Sequence, residues 1–193
     1  MKKIDWTNHI IEFITVVIGI GLAFALNNWN ENKKEIKQAD LFLQSIEEEI
    51  KINWQEIEEK LAYHQQLMEN LEKKPAETIL IIKPSRIEDH AWEIANNNIF
   101  KQHTEFHLYK KLSKIYSIQE VLERHNSHAG QMMAQLSVNG PFMMIPLYND
   151  DFSEEDEIAF RSLSRQSWIP IFEDMVFYES ELIKLYEEVL EKM

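Results

Sequence analysis

Four histidines have the spacing of helical metal ligands. His103 and His107 are four residues apart, and His125 and His128 are three apart, so each pair would share one face of a helix. Two such pairs could hold zinc or another transition metal through imidazole nitrogens. Nothing around them completes a catalytic site. There is no H-E-x-x-H run, no cysteine, and no carboxylate at a telling offset. The acidic run Asn149–Glu157 (NDDFSEEDE) offers oxygen ligands to calcium but lacks the alternating spacing and glycine of an EF-hand loop. Neither a G-x-S-x-G elbow nor a phosphate-cradling glycine loop occurs. The expectation is no enzyme, no cofactor and no metal, with the histidines as surface or hydrogen-bonded core groups. Trp92, Tyr109, Tyr116 and Trp168 are expected as core aromatics.

The elements that would position these residues are helical. Four glycines and five prolines in 193 residues, with Leu, Ile, Glu and Lys abundant, point to an all-α fold. No glycine or proline lies between Leu22 and Lys74, so one helix is expected to run through that stretch. Ile36, Leu43, Ile50, Ile57, His64 and Leu71 recur every seven residues, flanked by Ala39 and Ile46 and then by Trp54, Leu61 and Met68. The flanking line drifts from a three- to a four-residue offset, as in a 3.6-period helix packing into a bundle rather than a strict coiled coil. Asn53 and Lys60 interrupt its d positions. Glu47 to Glu49, Glu56, Glu58 and Glu59 read as a solvated face.

Pro75 and Pro84 bracket a break, with Thr78 to Ile82 between them as a buried extended segment or minor strand. Ser85 and Glu88 have capping-box spacing for a second helix, and the triplet Asn96-Asn97-Asn98 is expected to end it. A third helix follows from Phe106 to about Leu136. Asn139-Gly140-Pro141 is a turn, Ser153 and Asp156 cap a fourth helix, and a fifth begins near Pro170, where proline is tolerated in a first turn.

Ile10 to Leu26 (IIEFITVVIGIGLAFAL) is the one segment long and apolar enough to enter a bilayer. Its 17 residues span roughly 26 Å as a helix, the short end of a membrane crossing. Trp6 precedes it, and Asn27, Asn28, Trp29 and Asn30 follow, with the indoles at headgroup level. Two alternatives remain open. Lys2, Lys3 and Ala23-Phe24-Ala25 also resemble a signal peptide with its cleavage site, against which Glu12 and Asp5 count; the other is a buried core helix. Within the segment, Glu12, Thr15, Gly19 and Ala23 share a face, and Gly19/Ala23 and Gly21/Ala25 are small-xxx-small pairs suited to close packing of membrane helices. A carboxylate at this depth is costly and usually partnered; the alternative is a side chain snorkelling to the surface.

The expected organisation is therefore a short cytoplasmic head (1–9), a transmembrane helix (10–26) and an acidic helical-bundle domain (27–193), the membrane helix continuing into a long helix that packs in an extramembrane bundle. Lys2 and Lys3 on one side and Lys33, Lys34 and Lys37 on the other hardly separate the two orientations. A nine-residue head before a long translocatable body suits a signal-anchor with the body in a periplasm-like space. Lys2, Lys3, Asp5 and Glu12 cancel, so the net charge of −13 belongs to residues 27–193. Such a body would be repelled by nucleic acid and anionic lipid.

Glu12, the VVIGI run and the Asn27-Asn28-Trp29-Asn30-Glu31 box together resemble a family of uncharacterised bacterial single-pass membrane proteins. In that family a short E-x-x-x-V-V-x-G-I helix leads into an N-N-W-N-E box and a helical outer body. The match is specific over residues 10–35 and weaker around AWEIANNNIF and LYKKLSKIYSIQ. It implies an uncleaved anchor in a bacterial inner membrane and carries over no catalytic residues. The resulting expectation is a membrane-anchored accessory or scaffold protein whose partner is another membrane protein or a second copy. The alternative is an extracytoplasmic ligand-binding sensor bundle acting through a separate signalling partner.

Overall fold

The computed structural model describes residues 6–73, 83–139, 153, 155 and 168–193. Five helices account for nearly all of them: α1 (Trp6–Lys73), α2 (His90–Ala95), α3 (Asn98–His103), α4 (Phe106–Asn139) and α5 (Ile169–Leu190). No strand occurs among the described residues, so the fold is all-α. Thr78 to Ile82, the turn at Gly140-Pro141 and Asp156 lie outside the described residues, as does the run Asn149–Glu157 apart from Ser153 and Glu155.

Helix α1 has 68 residues, about 100 Å at the α-helical rise, and continues unbroken through the glycine- and proline-free stretch. Its two halves differ. Ile10 to Leu26 is exposed throughout, with Phe13 at 68% and Phe24 at 66%. From Ala39 onward a stripe is buried: Ile46, Ile50, Ile57, His64, Leu67 and Leu71 are all at or below 5% exposure. Ile36, one turn before Ala39, remains exposed at the end of the covered stretch.

What covers the stripe is α5, which packs against both α1 and α4, while α2 and α3 lie on α1. Phe172, Met175, Leu182, Tyr186 and Val189 of α5 are fully buried. At roughly 1.5–3 kcal/mol for each large apolar side chain removed from water, this face is the main stabiliser of the bundle. Pro170 sits in the first turn of α5, where a missing N–H costs nothing. The aromatic expectation holds in a connected form. Trp92 stacks on Tyr116 with centroids 4.8 Å apart and planes 6° apart, and Phe100 meets Phe42, Trp92 and Tyr109. Trp168 is buried against Phe172.

Two local expectations change, and one between them holds. The second helix starts at His90, not just after Ser85. A capping box would send the Glu88 N–H to Ser85, but that N–H donates to Asn53 Oδ1 of α1 at 2.8 Å, and residues 83–89 stay irregular. The asparagine triplet does break the chain: Asn97 is extended and its side chain accepts from the Phe100 N–H at 3.0 Å, capping α3. Finally, α3 ends at His103 and α4 opens at Phe106, so His103 and His107 are on different helices with Thr104 as a cap between them.

Candidate functional site

Helix α1 carries polar groups inside its buried stripe, and they hold the rest of the body. Asn53, fully buried, donates through Nδ2 to the Glu88 carbonyl at 2.7 Å and accepts the Glu88 N–H at Oδ1. Glu56 accepts the Arg86 N–H at 3.2 Å, and Glu49 Oε2 accepts the Ala91 N–H at 2.7 Å. Residues at helical spacing on α1 thus supply the partners that a neighbouring strand would otherwise give the irregular segment 83–89 and the first turn of α2. An unmet buried amide costs about 1–3 kcal/mol, so these carboxylates and the amide specify where that segment lies. Glu49 and Glu56 depart from the expected solvated face: Glu49 is 5% exposed and Glu56 half-buried.

The other Glu49 oxygen accepts the Tyr116 hydroxyl at 2.6 Å, joining α1 to α4. Burial first, and then the Glu49 carboxylate, push the Tyr116 phenol far above its ordinary range, so it is a fixed donor. Tyr186 is raised as well, chiefly by burial, and it accepts from Gln119 Nε2 at 2.7 Å. Further along, His64 Nδ1 lies 2.9 and 3.1 Å from the two Glu179 oxygens, both residues at 0% exposure, and Ser85 Oγ donates to the same carboxylate at 3.4 Å. His64 Nε2 has no hydrogen-bond partner among the described residues. This pair closes α1 onto α5 across 115 positions of sequence.

Between α2 and α4 lies a cleft of about 350 Å³, lined among others by Asp89, Trp92, Tyr116, Gln119, Glu120 and Glu123. No lysine or arginine is among its described lining residues. Partial burial, with the Asp89 and Glu120 carboxylates adding to it, raises Glu123 above the usual carboxylate range. Arg124 Nη1 stands 3.5 Å from Glu120 Oε1 on the outer side, with both side chains largely exposed. Gln119 is 3% exposed, and its Oε1 has no partner among the described residues.

The histidines are dispersed. His103 Nε2 meets Glu35 at 3.1 Å and ties α3 to α1. His107 is exposed beside Phe106. His125 lies against the Tyr178 ring and 3.9 Å from Asp174 of α5, and His128 lines an open depression with Glu120, Glu123 and Arg124. None of the four belongs to a converging ligand group; among the described residues that geometry occurs at Asp89, His90 and Glu93, which have no buried member.

In the apolar segment, Thr15 Oγ1 donates back to the Ile11 carbonyl at 2.8 Å. A Cβ built at Gly19 or Gly21 meets nothing within 4 Å, and Ala23 and Ala25 are exposed. Glu12 is exposed. Beyond the segment, Asn27 Nδ2 donates to Glu31 Oε1 at 3.0 Å, and Lys33 Nζ sits 3.9 Å over the Trp29 ring. Asn28 and Asn30 are exposed, while the Trp6 side chain is outside the described residues.

Comparison with known proteins returns nothing: no family model, no curated protein and no solved structure matches the chain.

Cleft residues Asp89, Gln119, Glu120 and Glu123 did not stand out in the sequence. Glu120 and Glu123 are three apart on a helix whose other face is apolar, which is also what an ordinary solvated face looks like.

Proposed function

We propose that the protein is a membrane-anchored accessory or scaffold subunit. The carrying observation is the contrast along α1: a window of mean hydropathy 2.2, none of it buried, is continuous with the helix that organises the body. An all-round apolar helix needs an apolar surrounding, and Trp29 with Lys33 at its end suits a headgroup boundary. The open side at Gly19 and Gly21 suits close approach of another membrane helix, from a separate protein or a second copy. In this reading Ile10–Leu26 spans a bacterial inner membrane as an uncleaved signal-anchor, with the acidic body in the periplasm. A continuous 68-residue helix then links the membrane segment to the bundle.

Purification of the full-length tagged protein from its native membrane in mild detergent, with mass spectrometry of the intact chain and its companions, tests this. The expected result is a stoichiometric partner or a homo-oligomer, with Met1 retained and the complex weakened by Gly19→Leu or Glu12→Leu while the bundle stays folded. An uncleaved chain whose complexes are unchanged in both variants would overturn the docking role, and a chain beginning near Leu26 would overturn the anchor. The second reading, a ligand-binding bundle signalling through a separate partner, draws on the acidic cleft.

A further inference from the structure

The negative charge that sets the body against anionic lipid is unevenly placed along α1. From Asn27 to Asp40 three lysines (Lys33, Lys34 and Lys37) balance three carboxylates, whereas from Leu41 to Lys73 eight carboxylates stand against three lysines. The balanced stretch adjoins the apolar segment, and two of its carboxylates are engaged, Glu31 by Asn27 and Glu35 by His103. The second of these contacts fixes the height of α3. Glu35 is six residues past Trp29, about 9 Å along the helix axis. Phe42 meets Phe100 and Glu49 meets Tyr116, so α4 runs away from the apolar segment in the same direction as α1. The corner where α3 ends and α4 begins therefore lies at the end of the body that adjoins the apolar segment.

That corner has the chemistry of a headgroup contact. Residues 101–111 carry three lysines, two histidines and a single carboxylate, Glu105, in a chain that is otherwise strongly acidic. Lys101 and Lys110 are exposed. Between them Phe106, at 72%, is more exposed than any large apolar side chain of the apolar segment itself. A lone exposed phenylalanine needs no explanation, and Phe177 on α5 is one, at 59%. Phe177 lies two residues from Glu179, the partner of His64, and His64 is 35 residues past Trp29, about 50 Å away along α1. Place and neighbours set Phe106 apart. The headgroup layer adds about 5–7 Å beyond the hydrocarbon core, and lysines feel an anionic surface within a Debye length of about 8–10 Å. The apolar segment spans roughly 26 Å against a core of about 30 Å, a mismatch that draws the adjoining part of α1 toward the headgroups. We propose that the α3–α4 corner docks on anionic phospholipid through Lys101, Phe106 and Lys110, a second membrane contact that fixes how the bundle stands on its anchor. This contact rests on the anchor reading above and deepens it by naming what the body meets.

The test uses full-length protein in nanodiscs of phosphatidylcholine, with and without phosphatidylglycerol. A fluorophore is placed on a single cysteine at Gln102, Glu58 or Val17, all exposed in the isolated chain, and quenched by lipids with a nitroxide on the headgroup or in the acyl chain. Headgroup nitroxides are expected to quench Gln102 at least about two-fold more when phosphatidylglycerol is present, and to leave Glu58 untouched in either lipid. Lys101→Glu with Lys110→Glu removes that gain. Phe106→Ser lowers the quenching too, with the melting profile unchanged because the side chain is exposed. Phe177→Ser and Lys51→Glu, the same changes farther from the membrane, leave it as it was. Acyl-chain nitroxides quench Val17 in every variant. Quenching at Gln102 that ignores both phosphatidylglycerol and the lysine changes, or Phe106→Ser no different from Phe177→Ser, would overturn the contact; Val17 still quenched leaves the anchor standing. Val17 unquenched would overturn the anchor and this contact together.

Discussion

The two halves of α1 share a backbone and differ in everything around it. Between Ile10 and Leu26 large apolar side chains point in all directions and none is covered, Ile18 at 57% and Leu22 at 60% among them. Between Ala39 and Leu71 most large apolar residues lie on one covered stripe, with Leu41 and Ile52 exposed off it, and that stripe is interrupted by Glu49, Asn53 and His64, each buried and each hydrogen-bonded to another part of the body. The first half gains nothing from the fold and is suited to a different solvent. The second gains position as well as stability, because its polar groups accept only one arrangement of the segments laid on it. Hydrophobicity all round and hydrophobicity on a stripe are thus two instructions written in one helix.

The sharpest way to separate them is to place the same charges in each. Ile14→Lys with Ile18→Lys should cost about 2.5–3.5 kcal/mol per lysine for membrane insertion. Membrane fractionation should show the chain leaving the bilayer, with the body's circular dichroism melt unchanged. Ile50→Lys with Ile57→Lys, both at 0% exposure, should do the reverse, unfolding the body while the chain stays membrane-bound. If either pair affects both properties equally, the division of α1 fails.

Within the bundle half, Glu179→Leu leaves His64 Nδ1 and Ser85 without their acceptor. Breaking one side of such a buried pair costs about 3–5 kcal/mol, read as a fall in the urea midpoint. His64→Leu with Glu179→Leu should recover most of that loss, since two apolar groups can replace a paired interior. A double variant as unstable as the single one would mean that the pair is not what joins α1 to α5. A smaller effect, about 1–3 kcal/mol, is expected from Asn53→Leu, which strands the Glu88 N–H and carbonyl. Its signature is local: faster amide exchange at Glu88 and Ala91, with α5 protected as before.

These variants also mark what the sequence could and could not reveal. Periodicity made the covered stripe legible, so Ile50, Ile57 and Leu71 are buried where a seven-residue repeat put them. Local chemistry exposed the break at Asn96-Asn97-Asn98 and the Pro170 start of α5. Glu49, Asn53 and Glu56 were not legible, because their partners are backbone groups at Ala91, Glu88 and Arg86. A backbone amide has no residue-type signature, and three acidic or amide residues at helical spacing look like a solvated face. Asn53 did register as an interruption of the apolar line, and a polar residue inside a stripe was the available clue. The same competition explains the second helix: Asn53 takes the Glu88 N–H that a Ser85 cap needed. The cleft assembles from residues about thirty positions apart, and spacing along one helix says nothing of that.

Absence of native cysteine makes one measurement direct. Single cysteines at Val17, Leu22 and Glu58 can be challenged in intact membranes with a membrane-impermeant maleimide. All three positions are exposed in the isolated chain, Val17 at 51% and Leu22 at 60%. The account predicts rapid labelling at Glu58 and almost none at Val17 and Leu22 until detergent dissolves the bilayer. Val17 and Leu22 labelled as fast as Glu58 in intact membranes would contradict it, placing the apolar half of α1 in water.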